Sequence, residues 1–101
     1  PPTSDEIAAM SGAQCEEVLR LASKLPGIRA AAYGRLITLV KAPVVLTRLV
    51  ARIKGDGLPA PALAKLIELA DQRALLLEER GEAEPAAGDD YADERQPGGE
   101  G

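Results

Sequence analysis

Every Leu, Ile and Val of this chain, 24 in all, lies between Ile7 and Leu77. Nothing beyond Leu77 supplies branched aliphatic side chains for a core. The 101 residues therefore divide into a helical domain expected over 1–81 and a tail over 82–101. The tail holds seven acids and one base among Gly, Pro and Ala, with Tyr91 as its single aromatic residue. Such a segment buries too little apolar surface to offset chain entropy, so it is expected to be disordered. The length bounds the rest to one small domain.

The residue inventory excludes much chemistry. The chain has no His, Phe, Trp or Asn, and one Cys. Without histidine it lacks the usual general base and the usual zinc ligand. One cysteine forms neither an intramolecular disulfide nor a structural zinc site. No cofactor or metal is expected. The first ten residues are polar and acidic, unlike a signal peptide. The longest apolar stretch, Leu36 to Ile53, carries Lys41, Arg48 and Arg52. Each of these charges costs about 2.5–3.5 kcal/mol at a bilayer centre, which argues against a span. The expectation is a soluble, cytoplasmic protein. Its lean toward Ala, Gly, Arg and Pro is one that a GC-rich bacterial genome produces.

The apolar spacing reads as an all-α bundle of three to five helices. Thr3 with Glu6 and Ser11 with Gln14 each fit a capping box. They start either two helices, at Ser4 and Gly12, or punctuate one that runs to Leu25. Cys15, Val18, Leu19, Ala22 and Leu25 form the stripe of its second half. Leu25-Pro26-Gly27 ends it. A helix from about Ile28 to Ala42 follows, with Ile28, Ala32, Leu36 and Leu39 as its stripe. Pro43 lacks an amide proton and clashes with the preceding turn, so the helix breaks or kinks there. Leu46, Leu49, Val50 and Ile53 carry the next stripe to Lys54. Gly55 to Pro59 is a turn, with Gly55 suited to the left-handed conformation that ends a helix. The last helix begins near Pro61, and Gly81 ends it. Leu63, Leu66, Ile67, Ala70, Ala74 and Leu77 line one side, and Ala62, Leu69 and Leu76 widen the arc.

That wide arc exceeds what one neighbouring helix covers. With Tyr33 as the only aromatic residue of the body, the core is also thin. Both features point to a dimer or a standing protein partner. The expected seam is Leu66, Leu69, Arg73 and Leu76. The competing reading packs these residues inside the monomer.

Charge gives a second candidate surface. The net charge is −4, yet Ile28 to Lys54 contains six cations and no acid. Arg35, Lys41, Arg48, Arg52 and Lys54 are the candidate anion contacts, for phosphates of nucleic acid above all. The competing reading is a solvated surface whose cations pair with carboxylates elsewhere. The acidic tail offers that segment an intramolecular partner that would screen it. A helix-turn-helix fits poorly, because Glu68, Asp71, Glu78 and Glu79 load the would-be reading helix with acid. Binding to a membrane surface is disfavoured by the break at Pro43. Cys15 lies on an apolar stripe, where thiols are inert. No arrangement of residues activates a nucleophile, so no enzyme is expected. The chain reads as a non-catalytic interaction or regulatory module that binds itself or another protein. Nucleic-acid association through 28–54 is the alternative.

Overall fold

A computed structural model describes residues 2–21 and 24–80. The acidic tail, Gly81 and Ala22 lie outside the described residues. Among the described residues five helices follow one another: α1 Ser4–Ile7, α2 Gly12–Leu21, α3 Pro26–Leu39, α4 Pro43–Lys54 and α5 Ala60–Arg80. No strand occurs among the described residues, so the fold is an all-α bundle.

The local signals act where the sequence places them. Thr3 accepts from the Glu6 amide at 3.1 Å, and Glu6 accepts from the Thr3 amide at 2.8 Å. Ser11 and Gln14 repeat the exchange at 3.2 and 2.8 Å. Each box satisfies helix-start amides that lack an intrahelical partner. The two boxes therefore start two helices, not one. Pro26 does more than end α2, because it opens α3. Its ring pushes the preceding Leu25 out of the helical region, to ψ 90°. Leu25 consequently leaves the stripe assigned to it and is exposed.

Pro43 likewise opens a helix after a break. Val40 and Ala42 are extended, at φ −60°, ψ 136° and φ −138°, ψ 143°. The helix expected to reach Ala42 thus stops at Leu39. In the turn after α4 it is Gly57, at φ 82°, that takes the left-handed conformation. Gly55 stays right-handed at φ −87°, contrary to its expected role.

α3 is the hub and packs against each of the other four helices. That position explains why its core exceeds one stripe. Ala32, Leu36 and Leu39 are buried as expected, and so are Tyr33, Ile37 and Val40. α2 contributes Cys15, Val18 and Leu19, α4 contributes Val45, Leu46, Leu49 and Ile53, and α5 contributes Leu66, Ala70 and Leu77. α4 and α5 are joined by the short turn over 55–59 and pack together. No helix among the described residues is long and apolar enough to cross a membrane.

Candidate functional site

The densest polar cluster ties α2, α3 and the α4–α5 turn together. Arg29 and Tyr33 stand one turn apart on α3 and share a face. Both reach Asp56 in the turn. Arg29 Nε donates to Asp56 Oδ2 at 2.8 Å, and Arg29 Nη2 donates to Oδ1. The Tyr33 hydroxyl donates to Oδ1 at 3.0 Å. Arg29 Nη1 donates to the Leu19 carbonyl at 2.6 Å, capping the last turn of α2. Beside them Arg52 of α4 makes a two-pronged pair with Glu16 of α2, at 2.9 and 2.8 Å. Its guanidinium also lies 5.6 Å from the centre of the Tyr33 ring, within cation–π range.

The electrostatics follow from these contacts. The hydrogen bond from Arg29 holds the Asp56 carboxyl below its ordinary value of 3.8. The same bond raises Arg29, and the bond to Glu16 raises Arg52. Burial, then the bond to Asp56, raises the Tyr33 phenol. An open cleft of about 440 Å³ adjoins the cluster and is lined by Glu16, Glu17, Arg20, Arg29 and Arg52 among others. Its arginines are matched by carboxylates: Arg20 by Glu17, Arg29 by Asp56, Arg52 by Glu16. The cleft is charge-balanced and offers an anion little surplus attraction. Cys15 brings no nucleophile, because burial pushes its thiol up to about 11. Among the described residues no group of three or more Cys, Asp or Glu converges as metal ligands.

The five expected anion contacts are not brought together. Arg52 is held by Glu16. Arg35 Nε donates to the Met10 carbonyl at 2.8 Å, between α1 and α2. Lys41 sits half-buried in the break between α3 and α4. Arg48 and Lys54 are exposed on α4. Six positions at about 100° each set these two about 120° apart around the helix.

The seam expected on α5 is divided. Leu66 is buried, and Leu69 is half-buried. Both face Gly34 of α3, where an added β-carbon would lie 3.7 Å from Leu66 Cδ2 and 3.9 Å from Leu69 Cδ1. Arg73 Nε donates to the Val40 carbonyl at 3.1 Å. That carbonyl belongs to the extended break, where no helix satisfies it. Leu76 alone points outward, 48% exposed, and beside it Leu75 is 60% exposed. Leu75 was not among the expected contacts, nor was Val44, which is 54% exposed on α4. The signal for Leu75 was its place opposite Leu66, nine positions on, at half a turn around α5. The signal for the Asp56 cluster was the Arg29–Tyr33 spacing. No known family model, curated protein or solved structure matches the chain.

Proposed function

We propose that the chain is a non-catalytic interaction module that associates with itself through the outward side of α5. The observation that carries this reading is the adjacent pair Leu75 and Leu76, left exposed on the longest helix beside half-buried Leu69. One exposed leucine is ordinary. Two adjacent leucines left exposed on one helix are the kind of apolar surface that association covers. The cleft gives less support to a competing reading, since the arginines around it are matched by carboxylates. Nucleic-acid binding through 28–54 lacks comparable support, because Arg29, Arg35 and Arg52 are engaged within the fold.

Sedimentation velocity of the full chain over a concentration series tests the reading. The wild type is expected to sediment as a dimer at the higher concentrations. The Leu75→Glu, Leu76→Glu variant is expected to stay monomeric with unchanged helical circular dichroism. A wild type that remains monomeric throughout sinks the proposal.

A further inference from the structure

α4 and α5 turn opposite charges outward. On α4 the exposed residues Val44, Thr47, Arg48, Ala51 and Lys54 share an arc of about 120° that contains bases and no acid. On α5 the exposed residues Ala64, Glu68, Asp71, Leu75 and Glu78 share an arc of about 80° that contains acids and no base. Among the described residues none of these charges is paired within the chain. Each arc also holds one large exposed aliphatic side chain, Val44 on α4 and Leu75 on α5.

The two arcs cannot meet within one molecule. α4 and α5 already pack against each other through their inner sides, where Leu46, Ile53, Leu66 and Ala70 are buried. The basic arc and the acidic arc both lie outside that contact, on residues the fold leaves exposed. A second copy of the chain carries the matching surface. We infer that two copies pair face to face, with α4 of each lying on α5 of the other. This inference rests on the self-association proposed above and specifies its geometry.

A two-fold axis parallel to the helices produces this pairing. With α4 and α5 antiparallel, as short connections leave packed helices, such a rotation lays α4 antiparallel on α5 of the second copy, and the reverse. Every contact occurs twice, so the assembly closes as a dimer and does not grow into a filament. The rotation leaves heights along the axis unchanged. Arg48 lies six residues before the end of α4 and Glu68 eight after the start of α5. At 1.5 Å per residue these are about 9 and 12 Å from the connecting turn. Arg48 therefore stands level with Glu68 of the second copy. Basic against acidic is the attractive arrangement, whereas α5 against α5 would set three carboxylates of one copy against three of the other.

Sedimentation equilibrium of the full chain with charge-reversal variants tests the pairing. Both positions are exposed, so circular dichroism should show the fold unchanged. Arg48→Glu alone and Glu68→Arg alone are each expected to raise the dimer dissociation constant at least tenfold. The double variant Arg48→Glu, Glu68→Arg should recover most of the wild-type affinity, because the swap restores opposite charges across the dimer. Single variants that dimerise like the wild type overturn the pairing, as does a double variant no tighter than the singles. If Leu75→Glu, Leu76→Glu still abolishes that dimer, self-association stands and only this geometry fails. A monomeric wild type removes both.

Discussion

The corner built on Asp56 and the outward side of α5 use the same residue types and end in opposite states. At the corner, cations from α3 and α4 meet carboxylates from α2 and the turn, and Tyr33 is buried beneath them. On α5, carboxylates stand without partners in the described chain and two adjacent leucines stay exposed. The difference lies in what the fold brings opposite each side chain. Arg29 and Arg52 belong to a stretch with no acid of its own, yet both are neutralised from outside it. The acids of α5 sit in a helix that also carries Lys65, Arg73 and Arg80, and they remain on the far side from the core. A block of like charge along the sequence therefore says little about the surface it makes.

The largest expected effect comes from α5 itself. The sequence puts Leu66 and Leu76 in one seam, but only Leu66 is buried. Leu66→Ala should lower the unfolding free energy by about 2–5 kcal/mol, through lost burial and the cavity left behind. Leu76→Ala should change it by about 0.5 kcal/mol or less, as surface substitutions do. Urea unfolding of dilute protein measures both, so that association does not mask the difference. Equal losses would mean that the outward side of α5 is packed like its inner side.

The corner comes next. Asp56→Asn keeps the shape but removes the charge that two side chains use. The Arg29 and Asp56 side chains are 17% and 12% exposed, so the loss is not screened as at an open surface. A cost of about 1.5–3 kcal/mol follows for losing hydrogen bonds to a charged group. Its pH dependence has a definite sign. The folded state holds Asp56 below its ordinary 3.8, so the contribution is present above that value. It is lost as pH falls through the lower folded value. The gap between wild type and Asp56→Asn should thus be constant near neutrality and close below about pH 4. A gap that persists in strong acid would show that shape, not charge, carries the corner.

Much of the fold was legible because its signals are local. Both capping boxes, the break at Pro43 and the stripes of α4 and α5 depend on neighbours within four residues. The misreadings share a cause in distance. Tyr33 and Ile37 look like the off-stripe side of an amphipathic helix, and only the central position of α3 buries them. Arg73 looks like a seam residue until the Val40 carbonyl, 33 positions away, takes its hydrogen bonds. Gly55 and Gly57 are equally able to turn left-handed, and the path from α4 to α5 selects Gly57. The surfaces were the least legible, since pairing of Arg52 with Glu16 spans 36 positions.

The smallest expected effect comes from the inner side of α5. Gly34 lies inside α3, at the crossing with α5, with helical backbone and no positive φ. A glycine there is less favourable than alanine by about 0.5–1 kcal/mol, because it loses more freedom on folding. Glycine at a helix crossing is often explained by close approach, but here an added β-carbon meets Leu66 and Leu69 at ordinary contact distances. Nothing has to move to admit it. Gly34→Ala is therefore expected to raise stability by about 0.5–1 kcal/mol in urea unfolding while leaving the sedimentation of the chain unchanged. Stabilisation without a change in association would place the α3–α5 crossing wholly inside one molecule. A variant that loses both would place part of the crossing at the boundary between copies, and the division between the inner and outward sides of α5 would have to be redrawn.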